Sequence, residues 1–548
     1  MKIALAQLNY HIGNFEKNVF KIKNTIQQAK LGKVDLIVFS ELSACGYPPK
    51  DLLEYTHFIQ QCENAVMEIA KQCVGISAIV GAPSANKNAH EKKIFNAAFF
   101  LENGEIKSIH AKTLLPDYDV FDECRHFEQN KKWDVVHFKN HKIALTICED
   151  LWYDENPLYT VNPMDELMKH NPDFIVNIAA SPFSTTHAEI RKSVITKAVK
   201  KYKLPLFYVN QVGAQTDLIF DGGSMVISND GKPFDELNSF SEDFKIYEIS
   251  SDKEELKKIS EEKTLQKNNF SKAEKIQSAL VLGIRDYFEK NNFKTAIVGL
   301  SGGIDSAVVL ALACEALGGK NIFSVLMPSK FSSDHSVADA LEMVKNIGCH
   351  HQLISIDNTF DTLEKTMQPH FENRPFNLAE ENMQARIRGI MLMALSNKFG
   401  HILLNTSNKS EMAVGYGTLY GDMCGALSVI GDVYKTEVYE LAHTINSTKK
   451  VIPKNIFSKA PSAELRHDQK DSDSLPDYEI LDKILFQYIE KKQSEKEIIS
   501  SGFDILLIKK IIQMINNNEY KRHQTPPVLR VSDKAFGTGR KMPIVGKY

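Results

Sequence analysis

Thr295-Ala296-Ile297-Val298-Gly299-Leu300-Ser301-Gly302-Gly303-Ile304-Asp305-Ser306 reads as a buried strand running into a glycine turn. A very apolar helix follows over residues 307–317. Two glycines let the main chain approach an anion closely and adopt positive φ. Free N–H groups at the helix start face that anion, and the helix dipole favours negative charge there. Ser301 and Ser306 add hydroxyl donors. Asp305 would repel a phosphate unless a cation sat between them, which implies Mg²⁺. The GxxxxGK[ST] pattern of a Walker A loop is missing. A lone Ser-Gly-Gly would read as a turn before a capped helix; strand, helix and Asp-Ser together favour phosphate.

Outward from this loop, apolar strands fall at 295–300, 322–327, 352–356 and 402–405, with helical stretches between them. That alternation predicts a doubly wound parallel α/β domain over 276–548. Residues 251–275 are dense in Lys, Glu and Ser and read as a charged, partly helical linker. The polar run 466–477 reads as a solvated loop. In the first half, 1–250, strands are expected at 3–8, 34–39, 78–81, 97–101, 106–111, 135–138, 143–148, 174–178 and 206–209. Helical rhythm over 15–29 and hairpin turns at Asn103-Gly104, Asn140-His141 and Asn229-Asp230-Gly231 complete the pattern. Hairpins mixed with crossover helices suggest an α-β-β-α sandwich.

With 548 residues, two to four domains are expected. The formal net charge of -3 gives no basic face for nucleic acid or a membrane surface. The apolar stretch at 1–7 is too short for a signal peptide, and the run 304–317 is broken by Asp305 and Glu315, so no membrane span is expected. None of the 8 cysteines has CxxC spacing, which disfavours zinc and thioredoxin-like chemistry. The cysteines are therefore expected to be reduced thiols in a cytoplasmic protein.

Three reactive side chains follow three candidate strands: Glu41, Lys112 and Cys148. Strand ends deliver side chains to one rim of a sandwich, so residues distant in sequence can converge. A carboxylate can take a proton from a thiol, and a nearby ammonium favours thiolate. The ammonium can then steady the oxyanion of a tetrahedral intermediate. Singly, each reads more simply as a cap, a solvated lysine and a buried structural cysteine.

Local sequence decides between these readings. Phe39-Ser40-Glu41-Leu42 with Gly46-Tyr47-Pro48-Pro49, Lys112-Thr113-Leu114-Leu115-Pro116-Asp117-Tyr118, and Ile147-Cys148-Glu149-Asp150-Leu151-Trp152 resemble the three motifs of the nitrilase superfamily. The resemblance implies a nitrilase-like fold and cleavage of carbon–nitrogen bonds through a thioester at Glu41, Lys112 and Cys148. Glu123 matches a second acidic position that places Lys112 or the substrate. Tyr118, Trp152 and Ser181 fall where glutamine contacts are expected. His187 lies where some relatives carry an arginine, which leaves the glutamine α-carboxylate contact open.

In the second half, Ser-Gly-Gly-x-Asp-Ser resembles the loop of the ATP pyrophosphatases, with an adenine nucleotide alpha hydrolase-like fold. Glu381-Asn382-Met383-Gln384-Ala385-Arg386-Ile387-Arg388, Thr406-Ser407-Asn408-Lys409-Ser410-Glu411, 415–422, Tyr434-Lys435-Thr436 and Pro461-Ser462-Ala463-Glu464-Leu465 narrow the resemblance to NAD synthetases. That resemblance implies ATP contacts from Ser301, Gly302, Gly303, Asp305, Ser306, Arg388, Thr406 and Lys435. It implies deamido-NAD⁺ contacts from Asn382, Arg386, Glu411 and Asp422, the last at the pyridine ring. Asp305 and Glu411 become Mg²⁺ ligands. The two halves together resemble the glutamine-dependent NAD synthetases. The expected partners are glutamine, ATP and deamido-NAD⁺, in a homo-oligomer of unspecified order. Two alternatives stay open: an adenylating amidotransferase for another carboxylate or carbonyl, and a non-catalytic assembly module.

Overall fold

The structure, a computed structural model, describes residues 1–250, 256–259, 270–372 and 374–546. The chain divides into two compact units, Met1–Asn269 and Phe270–Tyr548.

The first unit holds two large sheets. One runs Leu256–Lys258, Asp243–Ile249, Lys2–Gln7, Leu36–Val38, Ser77–Ala85, Ile94–Glu102, Glu105–Ala111. The other runs Pro233–Glu236, Met225–Ile227, Leu206–Asn210, Phe174–Ala179, His141–Ile147, Val136–Phe138. Alternation along each strand builds the layers, because successive side chains leave opposite faces. Ile3 and Leu5 join Leu145, Ile147, Val176 and Ile178 in a core between the sheets. Ala4 and Ala6 face outward and pack with Val19, Ile22, Ile26, Val66 and Ile69. Those residues come from helices Phe15–Leu31 and Thr56–Ala70. The first helix starts where the Asn14 side chain accepts from Lys17 N, a cap that contributes about 1 kcal/mol. This is the expected α-β-β-α sandwich.

The second unit carries a five-stranded parallel sheet in the order His350–Leu353, Ile322–Leu326, Ala296–Gly299, Ile402–Asn405, Leu427–Ser428. The order reverses direction at Ala296–Gly299. Ligands in open α/β sheets bind at such a switch point, beyond the carboxyl ends of the strands. A separate helical cluster built on Leu481, Ile484, Ile508, Ile511 and Ile515 packs against Met412, Ala413 and Val414.

Three expectations change. The strand expected at 352–356 lies at His350–Leu353, an edge strand exposed along its length, whereas Ile356 turns into the core. Within the expected linker, Leu256–Lys258 pairs with Asp243–Ile249, and a helix begins at Lys272, capped by Ser271 and Glu274; most of the remainder of 251–275 lies outside the described residues. The polar run 466–477 is not uniformly solvated, because Asp471 is buried. Among the described residues no helix is long and apolar enough to cross a membrane.

Candidate functional site

In the first unit, Glu41, Lys112 and Cys148 each follow a strand: Leu36–Val38, Glu105–Ala111 and His141–Ile147. Glu41 is seated against Ser77–Ala85. A Cβ on Gly81 would stand 2.3 Å from Leu42 N and 2.7 Å from Ser40 O, so only glycine lets that strand pass so close. The fully buried Glu41 carboxylate accepts from Lys112 Nζ at 2.8 Å, Asn96 Nδ2 at 2.7 Å and Ala180 N at 2.9 Å. Lys112 Nζ also donates to Glu123 at 2.8 Å. Glu123 accepts further from Tyr47 OH at 2.9 Å and Asn96 Nδ2 at 3.2 Å.

Cys148 occupies a left-handed conformation, φ +44°, that a non-glycine residue rarely adopts. Asp150 holds this bend. Its carboxylate accepts from Ile147 N, Thr113 N and Leu114 N, each at 2.9 Å, and so ties the Cys148 turn to the residues after Lys112. Burial raises Asp150 to about 6 against the pull of those three bonds.

The electrostatics differ from the sequence expectation at the thiol. Burial, and then Glu41, push Cys148 well above the ordinary thiol range, with Lys112 opposing. These surroundings favour the neutral thiol over the thiolate. Burial pulls the Lys112 ammonium down, but Glu123 and Glu41 outweigh it and the net shift is upward. Burial raises Glu123 to about 7, Lys112 opposing and Glu41 adding.

The expected glutamine contacts surround this cluster. Tyr118 OH and Tyr159 OH donate to Glu149 at 3.0 and 2.7 Å. Ser181 Oγ lies 3.0 Å from His187 Nε2, and the His187 ring stacks on Trp152 at 5.4 Å. Sequence reasoning assigned no role to Asn96, Glu149 or Tyr159. Glu149 is adjacent to Cys148 and nearly fully buried, and an acidic pair in an apolar setting was its available signal.

In the second unit, a cavity of about 280 Å³ opens at the sheet's switch point. Ser301, Gly303, Asp305, Ser306, Arg388, Thr406, Glu411, Asp422 and Lys435 line it. Gly302 is not on the wall but makes the turn: φ is +80°, and a Cβ there would lie 2.3 Å from Ser336 O. Ser306 Oγ is used within the loop, accepting from Ser301 N at 3.2 Å and donating to Gly303 O at 3.1 Å. It braces the loop rather than offering the free donor expected.

Asp305 accepts from Asn408 Nδ2 at 2.9 Å and pairs with Lys435. Lys435 Nζ also lies 3.5 Å from Glu411. Burial, and then Asp305, raise Glu411 to about 8, while Lys435 opposes. Burial lowers the Lys435 ammonium, but Asp305 and Glu411 carry it upward overall. Asp471 joins this group, held by Tyr478 OH at 2.9 Å and Tyr416 OH at 3.1 Å, and sequence reading missed it inside a polar run. Arg388 donates through Nε to Met327 O at 3.0 Å; burial drops it to about 10.

Asp422 is exposed on the cavity wall, and its Oδ1 accepts from Thr418 N at 2.6 Å. Asn382 and Arg386 are not on the cavity wall. Asn382 accepts from Thr418 Oγ1 at 2.7 Å and Arg386 donates to Leu419 O at 3.2 Å, so both hold the 415–422 loop from behind.

Residues 2–258 match the carbon-nitrogen hydrolase family, and residues 276–525 match the NAD synthase family. The chain is 46% identical to the glutamine-dependent NAD(+) synthetase of Synechocystis sp., covering 100% of this chain and 99% of the relative. It is 40% identical to the enzyme of that name from Acinetobacter baylyi, covering 100% and 98%. The solved glutamine-dependent NAD⁺ synthetase of Acinetobacter baumannii, in complex with adenosine diphosphate, superposes with a TM-score of 0.78 at 37% identity, covering 99% and 98% of the two chains. A glutamine-dependent NAD(+) synthetase from Cytophaga hutchinsonii, 20% identical, shares the fold at a TM-score of 0.84 over 100% and 98%. With both units matched and identity sustained along the whole chain, this protein belongs to the glutamine-dependent NAD(+) synthetase family.

Proposed function

We propose that the first unit cuts ammonia from glutamine and that the second uses it, with ATP, to convert deamido-NAD⁺ to NAD⁺. Cys148 Sγ attacks the side-chain amide carbon of glutamine. Glu41 takes the thiol proton and passes it to the leaving nitrogen, so ammonia departs and a thioester remains. Lys112 stabilises the oxyanion formed in each step. Water, deprotonated by Glu41, then releases glutamate and restores the thiol. Glu123, Asn96 and Tyr47 hold Lys112 and Glu41 in register. Tyr118, Trp152, Ser181 and His187 are the proposed glutamine contacts, with Glu149 suited to an ammonium group.

In the second unit, the nicotinate carboxylate of deamido-NAD⁺ attacks the α-phosphorus of ATP and pyrophosphate leaves into the 301–306 loop. Ammonia attacks the resulting acyl adenylate, and AMP leaves. Arg388 and Lys435 offset phosphate charge, Thr406 meets the nucleotide, and Asp422 faces the pyridinium. The donor set fits Mg²⁺: Asp305 and Glu411 are hard oxygen donors, and burial, then repulsion from Asp305, raise Glu411. Among the described residues no group of three such side chains could hold a metal alone, so phosphate oxygens would complete the shell. Mg²⁺ bound there would neutralise phosphate charge. We read 251–275 as the connector between the catalytic parts, and a cytoplasmic location follows from the ATP requirement and the need for a free thiol.

The observation that carries this reading is that both charged clusters are assembled in one chain: Glu41–Lys112–Glu123 beside Cys148, and Asp305–Lys435–Glu411 on the cavity wall. Purified protein with ATP, Mg²⁺, glutamine and deamido-NAD⁺ is expected to yield NAD⁺, AMP, pyrophosphate and glutamate. Product without AMP, or no NAD⁺ from either glutamine or ammonium, would overturn it.

A further inference from the structure

Two cysteines that the reaction does not use meet where two neighbouring helices of the second unit end. Cys314 lies in the last turn of Ile304–Leu317, the helix that springs from the 301–306 loop, and Gly318 N closes that turn by donating to Cys314 O at 2.9 Å. Cys349 follows Gly348, the left-handed cap, φ +78°, of helix Asp334–Ile347. The two caps touch: a Cβ on Gly319 would stand 3.0 Å from Gly348 O. The two sulfurs share a hydrogen bond, and the buried Ser324 Oγ lies 3.8 Å from Cys349 Sγ. Both thiols are partly exposed. Cys45 and Cys62 also contact each other, but both are fully buried, out of an oxidant's reach.

The pair is chemically unequal. The hydrogen bond from Cys314 lowers Cys349 to about 7, with burial opposing and Ser324 assisting. The same bond raises Cys314, and burial adds to it. One sulfur is thus a ready nucleophile while the other keeps its proton. An accessible, acidic thiol beside a second thiol is the setting in which oxidation ends in a disulfide.

These helices also meet at their other ends. Gly302, just before the first helix, packs on Ser336 O, in the first turn of the second, so closely that a Cβ would stand 2.3 Å away. The helices therefore run side by side from the anion loop to the thiol pair, and a bond between the far ends constrains the loop at the near end.

We propose that Cys314 and Cys349 form a reversible, peroxide-responsive disulfide that locks the two helices together and slows synthesis through the 301–306 loop. The Cys349 thiolate attacks one oxygen of hydrogen peroxide; the O–O bond breaks, hydroxide leaves and a sulfenic acid forms. The Cys314 sulfur then attacks the Cys349 sulfur; the S–O bond breaks, and water leaves as the S–S bond forms. In sum, two thiols and one peroxide give one disulfide and two waters, the sulfurs losing the two electrons that the peroxide gains. A dithiol reverses the bond by exchange. The effect on synthesis rests on the proposed function, whereas formation of the bond does not.

The test uses the full chain, treated with hydrogen peroxide after removal of reductant, with ammonium as nitrogen source so that Cys148 is not needed. Peptide mapping by mass spectrometry is expected to find Cys314 joined to Cys349. The KM for ATP is expected to rise about fivefold, and dithiothreitol is expected to reverse both changes. Cys314→Ser and Cys349→Ser are expected to keep the activity of the reduced protein and to lose the peroxide response; Cys314→Ala carries the comparison should the serine variants fold poorly. Absence of the linkage, a linkage that leaves the KM for ATP unchanged, or an equal peroxide response in the variants would overturn the inference. A reduced wild-type protein that leaves deamido-NAD⁺ unconverted would instead overturn the functional reading. In that case the linkage map, with slower amide hydrogen exchange over 301–317 after oxidation, would still judge the lock.

Discussion

Lys112 donates to Glu123 across 2.8 Å, the same separation it keeps from Glu41. One buried cation thus serves two buried carboxylates, and the surplus negative charge bears on Cys148. Glu123→Gln removes one of those charges. The pH at which iodoacetamide alkylates Cys148 is expected to fall, while glutamine hydrolysis slows by roughly ten- to hundredfold because Lys112 loses a tether. An upward shift in the alkylation profile would show that Glu123 does not set the local field.

Cys148→Ala is expected to abolish glutamine-dependent NAD⁺ formation and to spare synthesis from added ammonium. The thiol lies in the first unit, and the synthetase chemistry has no need of it. Loss of both activities in a folded variant would contradict the division of labour.

Gly302→Ala forces a side chain into left-handed backbone and against Ser336 O. The conformation alone costs about 1–2 kcal/mol, and the contact adds to it. ATP-dependent synthesis is expected to fall at least a hundredfold, roughly 2.7 kcal/mol, with glutaminase activity retained. A variant with normal KM for ATP would remove the loop from the nucleotide site.

Glu411 ionises near pH 8 in the folded protein against an ordinary value of 4.5. An acid raised on folding leaves its relative stability intact below the unfolded value, and that stability is lost as pH rises through the folded one. Glu411→Gln should therefore gain on wild type in melting temperature between about pH 5 and 8; each 1 kcal/mol corresponds to roughly 2–4 °C in a domain of this size. Mg²⁺ with ATP is expected to close the gap by compensating the charge. A constant gap across that range, measured by differential scanning fluorimetry in EDTA, would remove Glu411 from the charge cluster. Synthesis from either nitrogen source is expected to drop in the same variant.

Asp422 both faces the cavity and caps its own turn through Thr418 N. Asp422→Asn keeps the carbonyl oxygen for that cap and removes the charge, so it separates the two roles. The KM for deamido-NAD⁺ is expected to rise by about ten- to hundredfold, 1.5–3 kcal/mol, with little change for ATP. Asp422→Ala should do the same and lose stability as well. An Asn variant with wild-type KM would leave a turn cap and nothing more.

Much of the fold was legible because burial and periodicity coincide. Ile402–Asn405 sits where the apolar run put it, buried in the middle of a parallel sheet. His350–Leu353 was misplaced because an exposed edge strand needs no apolar residues, and the eye moves on to Ile354 and Ile356. Glu41, Lys112 and Cys148 stood out through their place after strands. Asn96 did not, since an asparagine inside a strand has no distinguishing neighbours until its two carboxylate partners are folded around it. Asp471 was hidden for the opposite reason: it is one of several aspartates in a polar run, and only Tyr416 and Tyr478 set it apart.

Lys2–Gln7 lies inside its sheet, between Leu36–Val38 and Asp243–Ile249. During translation the last of these partners arrives late. At roughly 5–20 residues per second, a ribosome takes about ten to fifty seconds to travel from the first strand to its final neighbour. Throughout that interval the nascent sandwich carries an unsatisfied row of main-chain donors and acceptors, which is a template for association with other chains. Stalling or premature termination before residue 243 should therefore yield aggregates rather than soluble fragments, and chaperone demand should be greatest before the phosphate loop has been synthesised.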